Sequence, residues 1–217
     1  MFALADRARA DAADQKKYNF SQDWTSDRVE IWRGPLQRFR GKPGIQYLEI
    51  GAFEGRATIW MLENVFTHPT ARVTCIDIFP HDTRKILLSN LAISGFTNKA
   101  KVITGKSQIA LKTLAPDSFD VIYIDGPHVA RDVLVDAVLS WQLLKKDGLL
   151  IFDDYLYDAG TFPDELRAQV AIDAFITAYR NNLEVVVRND LVIVRKKSDT
   201  VWFVVLDKYW YNWWDKE

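Results

Sequence analysis

From Gln46 onward, short β-rich apolar runs alternate with stretches in which apolar residues recur at helical spacing. The pattern predicts strands at 46–50, 72–78, 100–104, 119–125 and 148–152, joined later by 183–188 and 191–195. Between the first five lie predicted helices at 56–66, 83–94, 107–114 and 131–145, the last stopping before Lys146-Asp147-Gly148, read as a C-cap. Strand, helix, strand, repeated, gives parallel strands and a doubly wound, Rossmann-like α/β sheet. The end differs: Leu183 to Arg195 reads as two strands turning at Asn189-Asp190, so the last pair is expected to be antiparallel. The expected fold is thus a sheet of about seven strands, mostly parallel, closed by an antiparallel C-terminal hairpin.

Ahead of the first strand, "DRVEIWRGPLQRFRGKPG" reads as a helix that Pro35 interrupts or kinks, then a Gly/Pro turn. With 217 residues, 48% of them hydrophobic, the chain can build one sizeable core. We therefore expect a single domain over 1–217: an N-terminal helical cap (1–44), a cofactor-binding core (45–196) and an aromatic C-terminal extension (197–217). That extension, "VWFVVLDKYWYNWWDKE", reads as an edge strand and a packing segment, or else as a homodimer contact or an aromatic wall of a pocket.

Charge narrows the partners. Twenty-eight Lys and Arg against 29 Asp and Glu, interspersed, leave a net charge of −1 and no field to attract nucleic acid or an anionic membrane. A small-molecule substrate is the expected partner. The N-terminus lacks a signal peptide's apolar core, Asp6, Asp11 and Asp14 oppose a transit peptide, and no apolar run nears the roughly 18 residues of a membrane span, so a cytoplasmic location is expected. Cys75, the only cysteine, sits in an apolar run as a buried inert thiol.

The stretch "YLEIGAFEGRATIW" carries the first candidate chemistry. Gly51 and Gly55 let the chain turn from strand to helix and approach a ligand closely; a tight turn with no ligand is the plain alternative. A dinucleotide turn would read G-x-G-x-x-G with a pyrophosphate on the helix N-terminus. Here Phe53 takes the middle glycine's place and Glu54 sets an anion against the phosphates, which argues against NAD and ATP. A nucleoside-like, phosphate-free, cationic ligand escapes both objections, and S-adenosylmethionine is such a ligand. Asp77 follows Gly55 by about 20 residues, the spacing of an acid that binds ribose hydroxyls. In "GKSQ", Ser107 is the expected N-cap of the next helix, with Ser107 and Gln108 placed to meet an adenine edge. A solvated Asp77 and a purely capping Ser107 remain open.

Further along, "FDVIYIDGPH" and "GLLIFDDY" end two predicted strands at the same sheet edge. Asp125, Asp153 and Asp154 are expected to converge there, and clustered carboxylates need protons or a cation; a hard divalent ion, Mg²⁺, is the economical choice. Solvated or capping loop aspartates are the alternative. His128, three residues after Asp125, reads as a general base or as a loop histidine.

These ordered motifs, from Gln46 to Tyr155, resemble the class I S-adenosylmethionine-dependent methyltransferases. Within that class they resemble the metal-dependent O-methyltransferases of the catechol and antibiotic-sugar kinds. "LEIGAFEG" is similar to their L-E-L-G-A-Y-x-G turn and "GKSQ" to their G-x-S-Q segment. The resemblance implies cofactor contacts at Glu49, Gly51, Ala52, Phe53, Gly55, Thr58, Asp77, Ile78, Ser107, Gln108 and Asp125. It implies metal ligation by Asp125, Asp153 and Asp154, and catalysis by His128 as base with Asp125. One departure is Ala57, where the family commonly has a Ser that holds the methionine carboxylate; Thr58 or a backbone amide is left for that contact. The implied reaction is O-methylation of a small hydroxylated molecule, with a catechol-like or vicinal-diol compound preferred because two adjacent oxygens chelate a metal. The rivals are a metal-independent methyltransferase, a non-catalytic S-adenosylmethionine-binding module, for which Ala57 speaks, and an NAD-dependent oxidoreductase, which Glu54 opposes.

Overall fold

A computed structural model describes residues 17–157 and 163–197. The aromatic C-terminal extension and the first sixteen residues of the expected cap lie outside the described residues. Contacts divide the chain into two compact units, Met1–Thr113 and Leu114–Glu217.

In the first unit, helix α1 (Ser26–Leu36) contains Pro35 and gives way to a 3₁₀ turn at Gln37–Phe39, so the proline marks the helix end and not a mid-helix kink. Strand β1 (Gln46–Ile50), helix α2 (Arg56–Asn64), strand β2 (Arg72–Asp77), helix α3 (Thr83–Ser94), strand β3 (Ala100–Thr104) and the short helix α4 (Ser107–Ala110) follow. Their strands run parallel in the order β3-β2-β1. β1 and β2 are buried along nearly their whole length, as expected of parallel strands covered on both faces. Beneath them Tyr47 packs on Phe66 and Trp32 on Trp60. Because the three strands are parallel, the Gly51 turn, Asp77 and Gly105 emerge at one edge, and backbone bonds from Gly51 N to Ile76 O (2.8 Å) and Gly105 N to Asp77 O (2.9 Å) lace that edge together.

The second unit holds strand β4 (Phe119–Ile124), helix α5 (Ala130–Leu143), strand β5 (Leu144–Phe152), helix α6 (Ala168–Tyr179) and the hairpin of β6 (Leu183–Arg188) and β7 (Val192–Lys196), in the strand order β4-β5-β7-β6. β4 and β5 are parallel, and the hairpin is antiparallel, with its turn at Asn189-Asp190 as expected. All seven strands belong to one mixed sheet, the Rossmann-like arrangement that the apolar pattern predicts. Trp141 of α5 meets Phe175 and Tyr179 of α6 in an aromatic cluster that Phe152 completes from β5.

One boundary is corrected. The helix over 131–145 stops at Leu143, and Lys146-Asp147-Gly148 lies inside β5. The β4–β5 register shifts between Phe119 and Val121 to absorb the extra residues, as at a bulge. A Cβ on Gly148 would come within 2.7 Å of Leu144 Cδ1 and 2.8 Å of Lys145 O, so this glycine permits a close chain approach instead of ending a helix. The end of α5 is served by Lys196 instead: its buried ammonium donates to Trp141 O (3.1 Å) and Leu144 O (2.7 Å).

Candidate active site

The turn after β1 is built from backbone constraints. Gly51 and Gly55 have φ of 87° and 84°, and a Cβ on Gly55 would fall 2.2 Å from Leu87 Cδ1 on α3, so a side chain there would meet both a strained backbone and a buried leucine that has to move. Phe53 also takes a left-handed conformation, φ 46°, which a bulky residue keeps only when held. Asp77 holds it: its Oδ2 accepts the Phe53 amide at 2.8 Å while Oδ1 accepts the Phe79 amide at 2.6 Å. Each carboxylate oxygen retains a second lone pair, so Asp77 can still accept from a ligand hydroxyl. Ile78, next in sequence, is exposed at the same edge.

Glu49 and Thr58 lie beneath this turn, out of contact with solvent. Tyr47 OH (3.0 Å) and Thr58 Oγ1 (2.7 Å) both donate to Glu49 Oε2, and Thr58 also meets the buried Cys75 Sγ at 3.5 Å. The Thr58 hydroxyl is thereby committed to the core, and Ala57 is buried beside it, which leaves a backbone amide for the contact that a serine makes elsewhere. Burial raises the Glu49 carboxyl to about 7 against the two hydrogen bonds, and the Asp77 charge adds to the rise; burial likewise pushes the Cys75 thiol up.

Two expectations change in this unit. Glu54 does not face a ligand: it is 3% exposed, and its two oxygens accept from Ser21 N (2.6 Å) and Ser21 Oγ (2.8 Å). Ser107 is the first residue of α4 and not its cap; Lys106, with extended backbone (φ −66°, ψ 133°), holds the capping position without a side-chain bond. Ser107 is buried and Gln108 half-buried at the start of that four-residue helix. Ala52 is buried within the turn.

In the second unit, β4 and β5 bring the other candidates together. Ile124 pairs with Phe152, so Asp125 and Asp153 continue from neighbouring positions, and Asp153 N donates to Ile124 O at 3.0 Å. Asp153 is buried; its Oδ2 accepts from Tyr123 OH and its Oδ1 from Asp154 N at 2.8 Å. Asp154, at φ 56°, turns its carboxylate to His128, with Nδ1 2.7 Å from Oδ2. Tyr157 packs against the His128 ring in a tilted arrangement, with ring centroids 5.2 Å apart. The Tyr123–Asp153 bond, the Asp154–His128 pair and the Tyr157 contact were not read from the sequence; a Tyr one residue inside the strand end was the available signal for the first.

As donors, these carboxylates suit a hard divalent ion. As arranged, they do not form its ligand set: Asp153 and Asp154 spend their oxygens on Tyr123, a backbone amide and His128. Among the described residues no group of three or more His, Cys, Asp or Glu side chains is disposed to hold a metal. No helix among the described residues is long and apolar enough to cross a membrane.

A parallel sheet whose first turn is glycine-shaped, with a carboxylate ending the second strand, defines a nucleoside-cofactor-binding Rossmann-like domain. A family model described as a methyltransferase domain matches residues 48–155, from within β1 to just past β5, and in that span the chain is similar to the class I S-adenosylmethionine-dependent methyltransferases. It is 27% identical over 115 residues to a catechol O-methyltransferase of Mycobacterium tuberculosis, covering 52% of this chain and 49% of that one. The chain spans about half the length of the first curated relatives it matches. Among solved structures it resembles the O-methyltransferase TomG from Streptomyces achromogenes, in complex with SAM (TM-score 0.62, 19% identity, 82% of each chain). It also resembles MycE methyltransferase of the mycinamycin biosynthetic pathway, in complex with Mg, SAH and mycinamycin VI (TM-score 0.57, 16% identity, 83% of this chain and 50% of that one). At these identities the likeness is one of fold.

The raised Glu49 generates a pH prediction. The folded chain holds this proton up to about 7, whereas an exposed glutamate releases it near 4.5. The associated stability is fully present below pH 4.5 and is lost as pH rises through about 7, on the order of 3 kcal/mol in all. In Glu49→Gln, the fall in melting temperature between pH 5 and pH 8 should shrink; an unaltered pH profile would show that Glu49 does not titrate in this window.

Proposed function

We propose that the protein transfers a methyl group from S-adenosylmethionine to a hydroxyl of a small, hydroxylated aromatic molecule. The observation that carries this reading is Asp77: a carboxylate that both shapes the Gly51–Gly55 turn and keeps free lone pairs repels a pyrophosphate and suits ribose hydroxyls. Gly51, Ala52, Phe53 and Gly55 would supply the close-approaching backbone, Asp77 the ribose acceptor, and Ile78 with Ser107 and Gln108 the surroundings of the base. When bound, the cofactor supplies an electrophilic methyl group on a sulfonium.

His128 is the proposed base. Asp154 is an acceptor at Nδ1, so the ring proton of the neutral tautomer sits there and Nε2 is the basic nitrogen that would take the proton of a substrate hydroxyl. The same carboxylate stabilises the imidazolium formed when the proton arrives. The exposed apolar side chains of Leu156 and Tyr157, the latter packed at a tilt on His128, favour an aromatic acceptor.

A second reading recruits a divalent ion to Asp125, Asp153 and Asp154; the adjacency of the two strand ends favours it, as does the Mg bound by MycE. It requires Asp154 to release His128. Cytoplasmic location and a homodimer stay with the proposal as expectations.

Calorimetric titration should show S-adenosylmethionine binding that Asp77→Ala weakens by about tenfold or more, through loss of charged-acceptor hydrogen bonds. An unchanged dissociation constant would remove Asp77 from the cofactor site. With a simple catechol as acceptor, His128→Ala should lower kcat by about 10² to 10⁴ and leave cofactor affinity intact. A kcat within about twofold of the parent's would reduce His128 to a loop residue. Chelator-treated protein separates the two readings: full activity supports the Asp154–His128 pair alone, whereas a loss restored by Mg²⁺ supports the metal.

A further inference from the structure

The segment from Lys17 to Thr25 has no helix or strand of its own, yet it is fastened at nearly every residue, and its fastenings converge on one place. Ser21 donates both its backbone amide and its hydroxyl to the buried Glu54. Asn19 is gripped through its main chain by Asn90 of α3, which accepts from Asn19 N (2.9 Å) and donates to Asn19 O (3.0 Å); the same amide group donates to Glu54 O at 3.1 Å. Arg56, first residue of α2, pairs with Asp23 at 3.3 Å, donates to Gln22 O at 3.1 Å and lies over the Phe20 ring at 4.7 Å. Trp24, 64% exposed, rests on Phe53 with ring centroids 5.3 Å apart. Three of the four residues from Phe53 to Arg56 therefore hold this segment.

The asymmetry of burial is informative. Ser21, Gln22 and Trp24 are exposed, while the groups that grip the segment, Glu54 and Asn90, are buried. A buried carboxylate is costly unless hydrogen-bonded, and both of the bonds to the Glu54 carboxylate come from Ser21. Lifting the segment would strand that charge, so opening it from the turn carries a barrier that the Ser21 bonds set. The link to the ligand side runs through Phe53: its ring carries Trp24, and its amide is bound by Asp77.

We propose that residues 17–25 form a strap that closes the cofactor-binding turn, fastened by Glu54 as its positioning residue, so that release of bound cofactor requires Ser21 to leave Glu54. The strap rests on the reading that S-adenosylmethionine occupies this turn. Trp24 is its outer wall, shielding the left-handed Phe53 and the Asp77 carboxylate behind it from water.

The test is the dissociation rate of S-adenosylmethionine by stopped-flow displacement, with hydrogen exchange of residues 17–25 in the free and bound protein. Glu54→Gln and Trp24→Ala should each release cofactor about tenfold faster or more, Trp24→Phe should restore slow release, and cofactor should slow exchange across the strap. A purely structural staple would lower the melting temperature without this pattern. Trp24→Ala alters an exposed ring and serves should Glu54→Gln fail to fold. Parent protein that binds cofactor, with variants releasing it within about twofold of the parent rate or with strap exchange unmoved by cofactor, overturns the strap and leaves the cofactor reading standing. Parent protein that binds no S-adenosylmethionine overturns the cofactor reading, and the strap falls with it.

Discussion

Between Ile50 and Arg56 the chain must leave a buried strand, reverse, and start a helix within contact distance of α3. The 2.2 Å gap between a would-be Gly55 Cβ and the buried Leu87, with the left-handed backbone at Gly55, makes glycine the residue that passes there without displacing α3's side chain. Much else in the first unit follows from it. Only with α2 that close to α3 can Asn90 reach both Glu54 and Asn19. Only with the turn so tight does Phe53 present its amide to Asp77. Backbone geometry, more than any side chain, shapes the cradle.

Four carboxylates at or near the strand ends show how environment divides one chemistry into several roles. Glu49 is buried on hydroxyl donors and holds its proton toward neutrality. Asp77, half-exposed, organises backbone amides and keeps acceptor capacity for a ligand. Asp153 is anchored by Tyr123, which fixes the chain so that Asp154, in a left-handed conformation, swings to His128. The same side-chain type serves as core polar group, organiser of a turn, anchor and orienter.

Most strands were legible because parallel strands covered on both faces leave unbroken apolar runs, and β3, β6 and α3 fall where the pattern puts them. Boundaries set by tertiary contact were not legible. Lys146-Asp147-Gly148 has the composition of a C-cap, and only the β4–β5 register reveals it as part of a strand. No helix was read between 152 and 183, although Ala168–Tyr179 is one; its apolar residues blend into a loop-like flank. At the site, residue types and spacing located Asp77, Asp125, Asp153, Asp154 and His128 at strand ends. They could not say which way a carboxylate turns. Glu54 was read as facing a ligand because its partner, Ser21, lies 33 residues earlier in a segment without periodicity. The Asp154–His128 pair depends on a left-handed residue that no local pattern announces.

Lys196 carries a last implication. Its ammonium, 2% exposed, sits on the final carbonyls of α5 and 3.3 Å from Asp117. A hairpin strand can ordinarily slide along its neighbour at modest cost where its side chains are interchangeable, and β7, with Val192, Ile193 and Val194 in succession, is close to that condition. A slip of one residue would carry the charge out of its only compensated seat and point it at the opposite face of the sheet. Lys196 thus acts as a detent: it selects one alignment of the closing hairpin from several of similar hydrophobic merit, and so keeps a valine-rich strand from sampling the misregistered pairings through which such strands recruit other chains.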